Sequence, residues 1–154
     1  MVQVYVAGQI TTRAFTVEEA DGIPLGRVIK FETRSEGGET VSIAGANASV
    51  LGVAYQGDFT GKYASVSTTG TGIGTARTQN TVANGDKLTV ITKGCGAVVR
   101  CFTSAANISA GAILGAANGG SVAQVDNDSS ALLIGTAVTA QATQSDTIDV
   151  LLNY

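Results

Sequence analysis

The sequence predicts an all-β fold: a small β-sandwich or β-barrel built from a degenerate internal repeat, with an N-terminal arm. Three observations predict it. From Gly26 onward, β-branched runs alternate with Gly, Asn, Asp and Ser at roughly ten-residue spacing, as in short strands joined by tight turns. Apolar residues at helical spacing are almost absent. Short phrases also recur: Gly26-Arg27-Val28-Ile29 and Gly85-Asp86-Lys87-Leu88 echo Gly111-Ala112-Ile113-Leu114, and Leu51-Gly52-Val53-Ala54 echoes Ile134-Gly135-Thr136-Ala137.

Taken in order, Val2, Val4 and Val6 alternate with Gln3 and Tyr5, the period of two that marks a half-exposed strand over residues 1–6. Residues 1–21 are expected to form the arm and residues 22–154 the β-domain. Residues 16–20 are the best helix candidate, a brief acidic turn ahead of Asp21-Gly22. Pro24 precedes the second strand, where its missing N–H removes no ladder bond. Further strands are expected over residues 26–33, 40–44, 49–55, 63–67, 87–92, 97–102, 113–116, 122–125, 131–138 and 147–152. Gly37-Gly38, Asn84-Gly85, Asn118-Gly119-Gly120 and Asp126-Asn127-Asp128 are the turns between them: Gly accepts positive φ, and Asn and Asp bond their own backbone. Residues 67–80 carry the weakest pattern and much Gly and Thr. They read as a long loop, and loops of that length in compact domains tend to be either functional or mobile, which makes this one a candidate contact surface.

Composition bounds the function. The 154 residues suit one domain, and the 44% hydrophobic fraction leans on Ala and Val, with aromatics at 5% and no Trp. Small side chains bury little area each, so burial against further copies would add stability. Charged residues make up 14% and the formal net charge is −3. The basic residues Arg13, Arg27, Lys30, Arg34, Lys62, Arg77, Lys87, Lys93 and Arg100 are dispersed, with no cluster to neutralise a run of phosphates, so nucleic acid is not an expected partner. No apolar run approaches the roughly eighteen residues of a membrane span, and the N-terminus lacks the pattern of a secretory signal. The expectation is a soluble chain with no membrane partner. Cys95 and Cys101 are expected on one strand, about 20 Å apart at ~3.3 Å per residue, too far to bridge. Buried free thiols or an intermolecular disulfide are the two readings left.

Catalytic chemistry is missing from the pattern. There is no histidine, the commonest general base and metal ligand near neutral pH. Asp126-Asn127-Asp128 opens like a calcium loop but lacks the following Gly and the distal Glu. Gly70-Thr71-Gly72-Ile73-Gly74 resembles a phosphate-binding loop without the helix that would present N–H groups to an anion. Glu18, Glu19 and Asp21 read as a solvated turn. The expectation is a protein that is not an enzyme and holds no cofactor or metal.

From Gly22 onward the chain resembles the small capsid cement or decoration proteins of tailed bacteriophages. The resemblance is carried by Ser109–Ala116 (SAGAILGA), Leu133–Val138 (LIGTAV) and Asp146–Asn153 (DTIDVLLN). It implies a β-sandwich or barrel on the outer surface of a virion made in the host cytoplasm. It further implies a structural protein, often a homotrimer, that clamps neighbouring copies of the major capsid protein. The partners expected are therefore the major capsid protein and the chain itself. The candidate contact residues are Val2, Val4, Tyr5 and Val6 in the arm and Thr71, Ile73 and Arg77 in the loop, the parts outside the repeat. The arm either adds to a sheet edge of a neighbour or is an ordinary strand of its own domain. The alternative function is a receptor- or glycan-binding surface or head-fibre module, with residues 67–80 as its binding loop.

Overall fold

The computed structural model describes residues 4–32, 39–57, 81–103, 105, 107–126, 129–140 and 147–154. The expected strand at residues 63–67 and the loop at 67–80 lie outside them. The fold is all-β, as expected, with two short 3-10 turns at Asn118–Gly120 and Ser130–Leu132. Among the described residues thirteen strands follow in chain order: β1 (Tyr5–Ala7), β2 (Thr12–Val17), β3 (Ile23–Pro24), β4 (Val28–Phe31), β5 (Thr40–Ile43), β6 (Gly52–Gly57), β7 (Thr81–Val82), β8 (Lys87–Thr92), β9 (Val98–Phe102), β10 (Ile113–Ala116), β11 (Val122–Gln124), β12 (Leu133–Ala137) and β13 (Thr147–Leu151).

Three strands are additions to the sequence reading: β2 and the two-residue β3 and β7, which pair with each other through Ile23↔Val82 and Pro24↔Thr81. Thr12–Val17 is β2, and Thr16 and Val17 end it where a short helical turn was expected. Phe15 and Val17 point inward and are buried, while Thr12, Arg13 and Ala14 are exposed; this uneven alternation hides the strand in the sequence.

Strands β2-β5-β4-β6-β8 close into a barrel, and β1-β9-β13-β12-β10-β11 form a six-stranded sheet. The two are copies of one circuit. In the barrel, β4 meets β6 through Val28↔Val53 and Ile29↔Gly52, and in the sheet β10 meets β12 through Ile113↔Thr136 and Leu114↔Gly135. Val53↔Ile91 and Ile91↔Thr12 then correspond to Thr136↔Leu151 and Leu151↔Val98. The parallel pairing Val17↔Val41, which closes the barrel, corresponds to the isolated parallel bridge Thr103↔Val122. The sheet thus follows the course of a second barrel, called so below, whose ends meet only at this isolated bridge, where the Thr103 hydroxyl also donates to the Val122 carbonyl at 2.9 Å. Among the described strands, β1 and the separate two-stranded sheet β3-β7 stand outside the duplicated circuit.

The phrases at Gly26 and Gly111, and those at Leu51 and Ile134, mark the same points in both copies, whereas the Gly85 phrase opens β8, whose counterpart is β13. Gly26 and Gly111 donate to Ala54 and Ala137 at 2.8 Å each, and Ala54 and Ala137 return bonds to Arg27 and Ala112 at 2.9 Å each. Gly26, Gly85 and Gly111 share φ values of 87°, 86° and 85°, a left-handed conformation that disfavours any Cβ.

The interior of each barrel alternates with its outside. Phe15, Val17, Leu88, Val90 and Val41 fill the first, and Val99, Cys101, Ile148, Val150, Leu114 and Val122 the second, all buried in one continuous apolar cluster. The barrels are fastened to each other by Val50 N–H on Ala131 O at 2.8 Å, Phe102 N–H on Gly26 O at 3.4 Å, and the Arg27 guanidinium 4.3 Å above the Phe102 ring.

Candidate interaction surfaces

The sequence places its candidate contacts in two regions, and the structure describes one. Val2 in the arm and Thr71, Ile73 and Arg77 in the loop lie outside the described residues. Val4 is buried in the core, and its carbonyl accepts the Arg100 N–H at 2.6 Å. Tyr5 and Val6 are half-buried in β1, which pairs antiparallel with β9 of its own chain through Tyr5↔Val99 and Ala7↔Val98. The Tyr5 hydroxyl donates to Gly8 O at 2.9 Å, fixing the turn that follows. The first strand is therefore integrated with its own domain and forms one edge of the sheet.

A groove that sequence reasoning did not find runs beside the junction of the two barrels. It encloses about 530 Å³ and is lined by Lys30, Phe31, Ser49, Val50, Thr92 and Lys93 among others. Lys93 follows β8 and reaches across to the 3-10 turn of the second barrel, where its ammonium donates to the carbonyls of Ser130 at 2.7 Å and of Ala131 and Leu133 at 3.2 Å. Partial burial lowers its pKa. All three ammonium donors are used, so Lys93 acts as a clamp between the barrels and has none left for a ligand. The lone signal in the sequence is a lysine beside Gly94 at the end of a strand, which does not reveal a partner so distant along the chain. Phe31 lies on the rim, 56% exposed, with its ring edge-on to Phe15 at 5.5 Å.

Every described cation has a local engagement. Arg13 pairs with Glu39 at 2.8 Å, Lys30 with Glu32 at 3.6 Å and Arg100 with Asp149 at 2.8 Å. Arg27 lies over Phe102, Lys87 donates to the Thr16 hydroxyl at 2.7 Å, and Lys93 holds its carbonyls. Burial lowers the Arg27 pKa, while the hydrogen bond and charge of Asp149 raise that of Arg100.

The described residues assemble no catalytic constellation, and among them no group of three or more His, Cys, Asp or Glu side chains is placed to hold a metal ion. Cys95 lies in the turn before β9, not on the strand as expected, and is half-buried; Cys101 is fully buried, and both are free. Burial, and then the charge of Asp149, pushes the Cys101 thiol up to about 12. Among the described residues no helix is long and apolar enough to cross a membrane.

The fold was compared with solved structures. The fold is similar to that of a solved phage head-fibre base. One matching structure is described as the head fiber gp8.5 N base in bacteriophage phi29, with a TM-score of 0.61 over 92% of this chain and 94% of that one. At 15% identity, what the two chains share is the fold. No family model matches the chain, and no curated protein matches it by sequence.

This match corrects the expectation of a capsid cement or decoration protein. The phrases that carried that resemblance, the Gly turn, the strand after it and the Leu-Ile-Gly strand, recur in both barrels. They are scaffold required by the duplicated circuit and carry no information about a partner.

Proposed function

We propose that this chain is a structural virion module that forms the base of a head fibre on a tailed-phage particle. The observation that carries this reading is the end-to-end fold match to a head-fibre base. The chemistry agrees with it: the described cations are engaged internally, and the surface offers grooves and strand edges where an enzyme would offer convergent acids and bases.

In this reading the base attaches to the shell through the major capsid protein, on the outer surface of the virion. The contacts proposed for attachment and for recognition of a receptor or glycan lie outside the duplicated scaffold: Val2, Tyr5 and Val6 around β1, anchored by Val4, and Thr71, Ile73 and Arg77 in the 67–80 segment. A base that carries contacts in such non-repeating segments can change partner without disturbing either barrel.

Copy number on purified particles tests the reading. A fibre base occupies a small subset of surface positions and is visible by immuno-electron microscopy at the foot of a projection. Occupancy of most equivalent lattice positions, or absence from the particle, would overturn it.

A further inference from the structure

Three Asp-Gly or Asn-Gly pairs lie among the described residues: Asp21-Gly22, Asn84-Gly85 and Asn118-Gly119. In such a pair the glycine nitrogen can attack the side-chain carbonyl carbon of the residue before it, because no Cβ on the glycine blocks the approach. Two of the three are locked. Gly22 is buried and its N–H donates to Glu19 O at 2.9 Å, and an added Cβ there would lie 2.7 Å from Val82 O. The Gly85 N–H donates to Val17 O at 2.9 Å, a bond that ties the turn before β8 to the end of β2. Asn118-Gly119 differs on each count. Both residues are exposed, and an added Cβ on Gly119 would meet nothing within 4 Å. Among the described residues the Gly119 N–H has no acceptor, and the Asn118 side chain makes no hydrogen bond.

We propose that Asn118 is a site of spontaneous deamidation and isomerisation, and that the isomerised product loosens the junction between the two barrels. The Gly119 nitrogen bonds to Asn118 Cγ, the Cγ–Nδ2 bond breaks, and ammonia leaves with the proton displaced from the backbone amide, which closes a cyclic succinimide. Water then opens the ring at either carbonyl. Opening at Cγ leaves an aspartate. Opening at the backbone carbonyl leaves an isoaspartate, whose main chain runs through Cβ and is longer by that atom. Water is the only co-reactant, so the reaction belongs to the folded chain itself. Its place in the fold gives it a consequence. The turn is closed by Ala117 N–H on Ser121 O at 2.7 Å and by the Ser121 hydroxyl on Asn118 O at 2.8 Å. It presses buried Gly120 against the first barrel so closely that a Cβ there would lie 2.7 Å from Ile43 Cγ2, 3.0 Å from Arg27 Cβ and 3.1 Å from Val28 O. A main chain lengthened just before that contact cannot keep both the turn and the close packing. An aspartate, by contrast, adds only charge, in a turn that packs on an arginine with no carboxylate partner. The inference rests on the turn alone and is independent of the fibre-base reading.

Incubation of the full chain at mildly alkaline pH, followed by proteolysis and mass spectrometry, tests it. The folded protein is expected to exchange NH for O at Asn118 at least about fivefold faster than at Asn84, where a hydrogen bond must break first. In strong urea that bond is gone, and the two Asn-Gly pairs should react at closely similar rates. Equal reactivity of Asn84 and Asn118 in the folded chain overturns the site, as does an Asn118 that reacts in urea but stays intact in the folded protein. Hydrogen exchange reads the consequence. Aged protein should exchange severalfold faster at Ala117 and Phe102, whose amides close the turn and cross the junction to Gly26 O. Asn118→Asp, which carries the charge on an ordinary backbone, should exchange like fresh wild type, and aged Asn118→Gln, whose longer side chain cyclises far more slowly, should do the same. Unchanged exchange in the isoaspartyl protein, or equal loosening of aged Asn118→Gln, overturns the link to the junction.

Discussion

Gly52 and Gly135 occupy one position in two barrels. A Cβ on Gly52 would collide with the Ile91 carbonyl and the Val90 side chain, and a Cβ on Gly135 would collide with the Leu151 carbonyl and the Val150 side chain. Each glycine lets a strand approach its neighbour more closely than any side chain permits, once between β6 and β8 and once between β12 and β13. Gly52→Ala and Gly135→Ala are each expected to cost about 2–3 kcal/mol or more, because the colliding atoms include rigid backbone. At Gly85 an added Cβ meets nothing within 4 Å, so Gly85→Ala should cost only the ~1–2 kcal/mol of its left-handed backbone. Urea midpoints of the three variants test this ordering.

Much of this was legible in the sequence, for a definite reason. The phrases around Gly26, Gly85 and Gly111, and those at Leu51 and Ile134, are short because they mark the turns and close approaches where only particular residues fit. Gly26 with Gly111 and Gly52 with Gly135 survive divergence between the two halves, while the paired side chains do not: Phe15 corresponds to Cys101, and Ile91 to Leu151. The strand β2 was hidden because three of its six residues are exposed in succession. The Lys93 clamp was hidden because its acceptors are backbone carbonyls, which leave no trace in residue identity. The function was misread toward capsid cement because the phrases used to read it were scaffold.

The junction between barrels should fail at Lys93 before it fails elsewhere. Lys93→Met keeps much of the aliphatic stem but removes the donor to Ser130, Ala131 and Leu133, leaving carbonyls beside an apolar groove without their cation. The site is partly open to water, which replaces some of the loss, so the expected cost is about 1–2 kcal/mol. Hydrogen exchange should show that cost as faster opening at Val50 and Leu132, whose amides bond Ala131 and Ser129, with little change inside the first barrel.

Arg100 and Asp149 sit directly opposite on β9 and β13 and are joined by two bonds, Nε to Oδ1 and Nη2 to Oδ2. The planar guanidinium matches the carboxylate, so the pair should exceed an ordinary surface ion pair. A double-mutant cycle through Arg100→Met and Asp149→Asn is expected to give a coupling of about 0.5–1 kcal/mol. Arg100→Lys should lose most of the coupling despite keeping the charge, because an ammonium cannot make the fork. Equal coupling for Lys and Arg would show that charge alone holds the strands.

Cys101 gives the protein a weakness at alkaline pH. The thiol is fully buried, and desolvation, followed by the charge of Asp149, raises its pKa from 9.0 to about 12. Between those values the unfolded chain has lost a proton that the folded chain still holds. The unfolded state therefore binds fewer protons there, and stability must fall as pH rises. The contribution is fully present below pH 9 and is lost toward pH 12, with a slope approaching about 1.4 kcal/mol per pH unit. Cys101→Ala removes this slope. Its missing sulfur lowers stability at neutral pH by a constant amount, so the difference between wild type and variant should shrink steadily as urea titrations move from pH 9 to pH 11. A difference independent of pH would mean that the folded thiol ionises as readily as the unfolded one. The same burial predicts that iodoacetamide modifies the native protein only at half-buried Cys95, and reaches Cys101 only once the second barrel opens.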